Sequence, residues 1–302
     1  MKKLSNSPYI VNSISELHRL LSLPAPEHPL VTVINLKDIK PSGKKSLVFN
    51  FYSVWLEKNV ESKIRYGQNY FDFDEGSMIF LSPGQIISGG SHENTEYGWG
   101  VVFHPDFIRH YPLAKIIKNY GYFSYTVKEA LHLSKKEEMM IISTMKNIMK
   151  EYSSRIDNYS QDVIVSQIEL LLNYSNRFYN RQFITRKIIN NDLLSKLEIL
   201  LTEYFYSDKL RELGIPTVQY ISEQLNLSPN YLSDMLRSLT GQNTQQHIHN
   251  KLIEKAKEIL STTNLSVSEI AYELGFEYPQ SFSKLFKSKT KVSPLEFRQS
   301  FN

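Results

Sequence analysis

Nine side chains in the last third of this sequence carry groups that can hydrogen-bond to nucleic-acid bases or to phosphates. Asn and Gln can bind adenine through two hydrogen bonds, Lys and Arg can bind guanine, and Ser can bond to any base. These residue types therefore indicate recognition through hydrogen bonds and charge. The nine candidates are Asn230, Tyr231, Ser233, Arg237, Gln280, Ser281, Ser283, Lys284 and Lys287.

Two similar apolar patterns predict the helices that carry these side chains. Each copy has an apolar pair four residues apart, a short break and a second such pair, which is typical of a helix-turn-helix motif. The pairs are Ile221 and Leu225, then Leu232 and Leu236, in the first copy, and Ile270 and Leu274, then Phe282 and Phe286, in the second. Because two copies occur at matched spacing, we predict helix-turn-helix motifs over residues 217–241 and 266–290.

The second helix of each copy, termed here the reading helix, is expected to present its polar face to a nucleic acid. Base contacts come from the N-terminal half of such a helix, off its apolar face. Lys287 lies one turn further along and suits a phosphate. Asp234 is left out because phosphates repel a carboxylate; it either accepts a hydrogen bond from cytosine or pairs with Arg237, and the nucleic-acid contact is not favoured.

Local signals predict where these helices begin and end. Ser228-Pro229 supplies an N-cap hydroxyl and a first helical residue with a fixed φ. Gly241 is placed to end the first reading helix, and Gly275 occupies the turn of the second copy. Two further segments have the capping-box pattern, Ser266 to Glu269 and Ser293 to Glu296.

An apolar face predicts one helix from about residue 244 to residue 260, between the two copies. At ~1.5 Å per residue, such a helix would hold the reading helices ~25 Å or more apart. Successive major grooves lie ~34 Å apart, so both reading helices would fit one side of a slightly bent duplex.

At these residues the chain resembles the AraC/XylS family of transcriptional regulators. The resemblance implies an all-helical domain whose two helix-turn-helix motifs contact adjacent major grooves, usually at a promoter. One departure is Lys291, which stands where the family usually has Gly; it either adopts a left-handed backbone or ends the helix differently. The segments that carry the resemblance are Leu227–Leu232, Lys255–Leu260, Ile270–Phe276, Ser281–Lys287 and Val292–Arg298.

The first half of the chain is expected to be rich in β-strands. Short apolar or alternating runs are separated by Gly, Pro, Asn and charged residues, as in a small barrel or sandwich. The segment Gly76–Gly84 looks like the strand and turn of a cupin-type jelly roll, and the family resemblance implies that such a barrel senses a small molecule. The predicted strands are Leu30–Leu36, Leu47–Leu56, Asn69–Phe73, Ser77–Leu81 and Gly98–Phe103.

Aromatic residues of these strands either line an apolar pocket or fill the barrel core. The second role is favoured for most of them. They are Phe49, Phe51, Tyr52, Trp55, Phe71, Phe73 and Trp99.

Two amphipathic helices are predicted after the strands, over Glu137–Tyr152 and from a Ser160 cap onward. Their apolar faces either pack within the monomer or, as the family resemblance suggests, form a dimer interface. The residues nominated for a homodimer are Met145, Ile148, Ile164, Ile168 and Leu171.

The predicted fold class is α+β, with an N-terminal cupin-like β-barrel and flanking helices before an all-helical C-terminal domain. Residues 1–180 would form the sensing and dimerisation domain, 181–190 the linker and 191–302 the DNA-binding domain. The basic, aromatic segment Arg177–Lys187 would lie at this connection, either touching the DNA backbone or solvated.

Several kinds of chemistry find no support in the sequence. The chain has no cysteine, which excludes disulfides, thiolate zinc sites and cysteine nucleophiles. The one His-x-His, formed by His247 and His249, lies on a predicted helix, where residues two apart point roughly 200° apart and cannot share a metal. We therefore predict no catalytic residue, no metal and no cofactor. With no export signal and no membrane span, a cytoplasmic protein is expected.

The distribution of charge favours nucleic-acid binding in only one part of the chain. The whole chain of 302 residues has a formal net charge of +4, and the residues from 195 to 302 carry equal numbers of acidic and basic side chains. A positive end is predicted from Lys284 to Arg298, where five basic residues accompany one acid.

Three functions fit these observations. The leading hypothesis is a sequence-specific regulator that binds promoter DNA, responds to a small-molecule effector and can act on RNA polymerase. A cupin-type enzyme with an accessory DNA-binding domain is the second, and an effector-independent architectural DNA-binding protein is the third. Whether transcription rises or falls stays open at this point.

Overall fold

The computed structural model describes residues 8–40, 46–59, 65–66, 69–70, 76–88, 95–126, 129–154 and 157–300. The chain divides into two compact units, Met1–Gln182 and Phe183–Asn302. Each unit is described by itself.

The first unit contains strands, short helices and two long helices. The strands are β1 Tyr9–Val11, β2 Val31–Asn35, β3 Ser46–Phe49, β4 Tyr52–Asn59, β5 Arg65–Tyr66, β6 Asn69–Tyr70, β7 Ser77–Leu81, β8 Ile86–Ser88, β9 Thr95–Phe103 and β10 Leu131–His132. The helices are α1 Ile14–Leu20, α2 Leu113–Ile116, α3 Lys135–Tyr152 and α4 Ser160–Thr185, whose last residues belong to the second unit.

These strands form two main sheets, one with the order β10-β7-β4-β9-β2 and one with the order β1-β3-β8, together with a small β5-β6 pair. Strand β4 pairs with β7 in the larger sheet, whereas their chain neighbours β3 and β8 pair with each other in the smaller sheet. The change of sheet occurs at residues 50–51 and 82–85, where the amide of Gly84 donates to the carbonyl of Phe49 at 2.7 Å. A folded ribbon of paired strands therefore runs through both sheets.

The predicted closed barrel is not found among the described strands. Closure requires that every edge strand be paired, but β2 and β10 each have one strand neighbour in the larger sheet. The predicted strand Leu47–Leu56 is divided where the chain changes sheet, because Asn50 and Phe51 lie between β3 of the smaller sheet and β4 of the larger sheet. Part of the predicted strand Asn69–Phe73 lies outside the described residues.

The aromatic residues of the strands fill the core. Phe51 is fully buried and stacks on Phe49 with a ring separation of 5.0 Å. The Trp55 indole covers Gly100, where a Cβ would lie 2.2 Å from the ring, so this close approach requires glycine. Trp99 is also buried, and Tyr52 stacks on Phe103. Phe71 and Phe73 lie outside the described residues.

The nominated dimer faces of α3 and α4 are buried inside the first unit, so that prediction is wrong. Helical periodicity identifies an apolar face but does not say which surface covers it. The accessible fraction is at most 4% for each of Met145, Ile148, Ile164, Ile168 and Leu171.

The start of α4 also differs from the prediction. Ser160 is the first helical residue and is buried. The carboxylate of Asp157 takes the capping role, because it accepts hydrogen bonds from the amides of Tyr159 and Ser160 at 2.8 and 3.0 Å.

The second unit is helical in its described residues. Its helices are α5 Lys187–Phe205, α6 Lys209–Leu213, α7 Val218–Gln224, α8 Pro229–Thr240, α9 Thr244–Thr262, α10 Val267–Glu273, α11 Pro279–Thr290 and α12 Pro294–Gln299. Helices α7 and α10 have seven residues each, and α8 and α11 have twelve each. The predicted linker residues 181–190 are helical except at Arg186, where α4 ends and α5 begins.

Side chains predicted as caps form the expected bonds. Ser228 Oγ accepts from the amide of Tyr231 at 3.3 Å, with Pro229 as the first helical residue. Both predicted capping boxes are present, at Ser266 with Glu269 and at Ser293 with Glu296. These carboxylates accept bonds at the helix starts, which holds the pKa of Glu269 and of Glu296 below the usual value.

The backbone conformation at equivalent positions is repeated in the two copies, as the helix lengths are. Asn226 and Gly275, 49 residues apart, have φ values of 56° and 79° in the turns between the paired helices. Gly241 and Lys291, 50 residues apart, have φ values of 76° and 72° at the ends of the reading helices. Lys291 thus adopts the left-handed backbone itself, so the departure from glycine costs strain without changing the end of the helix.

Helix α9 forms the centre of the second unit. Its buried residues pack against α5, α8, α10, α11 and α12. No helix in the described part of the chain is both long and apolar enough to cross a membrane. The buried apolar residues of α9 are Ile248, Leu252, Ile253, Ala256 and Leu260.

Replacing Lys291 by Gly is expected to stabilise the second unit. A left-handed non-glycine residue costs ~1–2 kcal/mol, and the added freedom of glycine in the unfolded chain cancels part of the gain, leaving about 0.5–1 kcal/mol. Urea unfolding followed by helical circular dichroism measures the change. Lys291→Ala is the control, because it keeps the strain and removes the bond from Lys291 Nζ to the carbonyl of Ser288. Equal stability of the two variants would contradict the strain at this position.

Candidate nucleic-acid interface

The first reading helix, α8, presents few of its predicted contact residues freely. Asn230 and Arg237 are exposed, and Ser233 is half-buried. The hydroxyl of Ser233 lies 2.9 Å from that of Thr244 at the start of α9, which ties the reading helix to the central helix. Arg237 donates to Asp234 at 2.7 Å, as the sequence predicted.

Tyr231 is not a surface residue, and its assignment as a contact residue is wrong. Its side chain is 8% accessible and its ring meets that of Phe183 edge-on at 5.2 Å. A tyrosine can turn its apolar ring inward as readily as leucine does, so position on the helix alone did not decide its direction.

The second reading helix, α11, presents a row of polar side chains. Gln280, Ser281, Lys284 and Lys287 are exposed, whereas Ser283 is half-buried. Phe282 and Phe286 are fully buried on the opposite face and meet edge-on at 5.8 Å. This helix therefore has a fixed apolar side and a polar side that is accessible to a ligand.

The start of α11 differs from that of α8. Tyr278 is exposed and makes no side-chain bond to the helix. Pro279 is the first helical residue, as Pro229 is in α8. Helix α11 therefore begins with the same proline as α8 but without a side-chain cap.

The predicted positive end consists mainly of lysines. Lys284, Lys287, Lys289 and Lys291 are exposed. Arg298 instead is half-buried, with Nε donating to the carbonyl of Leu260 at 3.3 Å in the last turn of α9. There it completes the end of the central helix, where cations are favourable.

Asn250 is a positioning residue that the sequence did not suggest. Its Nδ2 donates to Oε1 of Gln242 at 2.8 Å, and its Oδ1 accepts from Nζ of Lys289 at 3.2 Å. These bonds connect the end of the first copy to the second reading helix. Since Asn250 and Lys289 lie 39 residues apart, no local pattern could have indicated their contact.

The two histidines of α9 have separate partners. His247 Nε2 lies 3.0 Å from the hydroxyl of Thr240, and His249 Nε2 lies 2.9 Å from the amide of Gln245. Burial, followed by the charge of Lys289, lowers the pKa of His249 below its usual value, so this ring is neutral at pH 7. Within the described ranges, no three His, Asp or Glu side chains are arranged to hold a metal ion.

Comparison with known proteins places this interface in a family. A model described as a helix-turn-helix domain matches residues 221–300. An uncharacterized HTH-type transcriptional regulator of Bacillus subtilis, YisR, is 25% identical over 283 residues, covering 83% of this chain and 87% of the relative. The arabinose operon regulatory protein of Escherichia coli is 24% identical over 265 residues, covering 86% and 82%.

A solved structure also matches this part of the chain. It is the C-terminal domain of the two-component response regulator yesN from Fusobacterium nucleatum, 31% identical, with 35% of this chain and 98% of that chain covered and a TM-score of 0.31.

The duplicated motif, the family model over residues 221–300 and the relatives that match most of the chain agree. The chain belongs to the AraC/XylS family of transcriptional regulators and is a DNA-binding protein.

Proposed function

We propose that α8 and α11 enter successive major grooves on one side of duplex DNA at a promoter. The observation that carries this proposal is the repeated backbone, in which two reading helices of equal length begin at proline and end at a left-handed residue. Both belong to one compact unit around α9. A fixed pair of helices suits a site with two half-sites at fixed spacing.

Specific contacts follow from side-chain chemistry and exposure. Gln280 can bind adenine and Lys284 can bind guanine, whereas Lys287 is placed for a phosphate. Ser281 and Ser283 are further candidates on α11. On α8, Asn230 is the candidate for adenine, with Ser233 and Arg237 beside it.

The first unit is proposed to sense a small molecule. It contains a surface cavity of about 230 Å³, whose lining includes Glu151, Tyr152, Asp157, His28 and Ile164. Burial lowers the pKa of His28, which favours its neutral ring, and the carboxyl groups of Glu151 and Asp157 lie in the same lining. The cavity therefore suits a small molecule with amine or hydroxyl donors.

A cupin-like fold is proposed for the sheets of this unit. It is supported by the pairing of β3 with β8 and of β4 with β7, because a ribbon of paired strands folded across two sheets is the arrangement of a jelly roll. We propose that the unit does no catalysis of its own and that the protein acts on RNA polymerase. Since its partner is promoter DNA, we expect the protein in the cytoplasm.

A homodimer is proposed through the outer face of α4. Val163 and Leu170 are 41% and 40% accessible. They lie two helical turns apart and so share one face. A two-fold dimer would bring four helix-turn-helix motifs to DNA.

Alanine substitutions in α11 are expected to separate base contacts from phosphate contacts. Gln280→Ala and Lys284→Ala should each weaken binding at the preferred site by about 1–3 kcal/mol, because each removes a base contact. Lys287→Ala should weaken binding to all sequences alike and reduce its salt dependence. Fluorescence anisotropy with the preferred and a scrambled duplex measures both effects.

The control for these variants is Lys196→Ala, which removes a lysine that pairs with Asp192 on α5. It should leave site preference unchanged. If the double variant at 280 and 284 also keeps the site preference, the assignment of α11 is wrong.

Ligand binding in the cavity is tested by thermal unfolding of the full chain with a panel of small amines and polyols. A ligand at 100 times its Kd stabilises a protein by about 2.7 kcal/mol. Ile164→Phe, which fills the cavity, should abolish the shift, whereas Ser166→Phe on the exposed side of α4 should keep it. An equal shift in both variants would place the ligand elsewhere.

Sedimentation of the full chain tests the dimer. A dimer is expected at tens of micromolar, and Val163→Glu with Leu170→Glu should give a monomer because charges on this face oppose its burial. Asn176→Glu, exposed on the same helix, should remain dimeric. A monomeric unsubstituted chain, with or without DNA, would contradict the proposal.

A further inference from the structure

The two reading helices differ in how far their polar side chains are already engaged. On α8, the ring of Tyr231 packs on Phe183, the hydroxyl of Ser233 contacts Thr244, and Asp234 binds Arg237. Asn230 is left as an exposed residue with an amide for base contact. Most of these polar side chains of the first reading helix thus make contacts within the protein itself.

On α11 the corresponding groups are available. In the part of the chain that the structure describes, the side chains of Gln280, Ser281 and Lys284 have no hydrogen-bond or ion-pair partner, and all three are exposed. Gln280 and Lys284 are long enough to reach base edges, with the hydrogen-bonding groups that adenine and guanine require. They need break no internal bond to do so.

The two reading helices differ more in their charge than in their internal bonds. Helix α8 carries one acid and one base, Asp234 and Arg237, whereas α11 carries Lys284, Lys287 and Lys289 and no acid. An exposed ion pair contributes only about 0–1 kcal/mol, so breaking the pair on α8 is a small obstacle. The larger effect is that Asp234 repels phosphates and offsets Arg237, while three lysines attract the backbone.

We infer that α11 supplies the greater part of the sequence discrimination and of the salt-dependent affinity, and that α8 mainly orients the protein on the half-site that α8 contacts. The inference rests on the proposed function, in which both helices enter major grooves. It assigns Gln280 and Lys284 as the main specificity-determining residues and Asp234 as the residue that keeps binding at the half-site of α8 weak.

The absence of cysteine from the chain makes the two half-sites identifiable. Ser238→Cys and Ser288→Cys each place a single thiol at the equivalent position of a reading helix, outside the candidate contact residues, to which an iron chelate that cleaves DNA can be attached. Cleavage of a duplex selected from a random library marks where each helix lies. Each base pair of that duplex is then substituted in turn, and the affinity of the full-length chain is measured.

Substitutions in the half-site marked by α11 should each lower affinity about 10–100-fold, and those in the half-site marked by α8 less than about 5-fold. Equal losses in the two half-sites, or larger losses in that of α8, would overturn the inference. Those results leave the proposed function intact, because both helices would still be marked on the DNA. Failure of the proposed function has a different outcome, namely no selected duplex or cleavage from only one helix.

A second variant tests the role of Asp234 without the risk of unfolding. Asp234→Asn should strengthen binding to all duplexes several-fold, because Arg237 is no longer paired with an acid. Base-pair substitutions in the half-site marked by α8 should then lower affinity more than they do for the unsubstituted chain. Glu223→Gln is the matched control, since it removes an exposed acid of the first copy from outside the reading helix, and it should change affinity less. If Asp234→Asn instead lowers affinity only for duplexes with one particular base pair, Asp234 reads that base and the inference is wrong.

Discussion

The burial of one face of α9 is the interaction on which the rest of the DNA-binding unit depends. Leu252, Ala256 and Leu260 lie on that face and are removed from water by helices of both copies. Full burial of each large aliphatic side chain contributes about 1.5–3 kcal/mol. Because one helix serves both copies, the spacing of the two reading helices follows from its rigidity and length.

Polar contacts add direction to that apolar packing. Ser233 with Thr244 ties the first reading helix to the start of α9, and Asn250 reaches both Gln242 and Lys289. Net contributions of such bonds are modest, about 0.5–1.5 kcal/mol each. Their importance lies in geometry, since they restrict how the reading helices rotate on the central helix.

The duplicated backbone shows where the sequence can vary and where it cannot. Asn226 and Gly275 occupy equivalent left-handed turns. A Cβ on Gly275 would lie 2.7 Å from the Cα of Gly214, so glycine is required there both by φ and by space. At the ends of the reading helices, Lys291 tolerates the conformation that Gly241 adopts, and a Cβ on Gly241 would meet no atom within 4 Å.

Much of the second unit could be predicted from the sequence because its signals are local. Proline and serine at the helix starts, glycine at the ends and apolar pairs four residues apart each act within a turn or two. The sequence could not predict the orientation of side chains that depends on a partner far away in the chain. Tyr231 turns inward to Phe183, and Asn250 meets Lys289 across the repeat.

The first unit was harder to predict for the same reason. Helical periodicity identified the apolar faces of α3 and α4 but not the surface that each face packs against. The residues nominated for the dimer therefore proved to be core residues of the first unit. The strands were placed approximately, but pairing across two sheets joins residues far apart in the chain, such as Val54 and Phe80. Strand spacing alone contains no information on that pairing.

Both reading helices are expected to contact one face of a duplex at a spacing fixed by α9. Hydroxyl-radical footprinting of the full-length chain on its preferred duplex tests this most directly. Two protected windows are expected for each bound chain, on the same face of the duplex and centred about 10–10.5 base pairs apart. A single window, or two windows on opposite faces of the duplex, would contradict this arrangement.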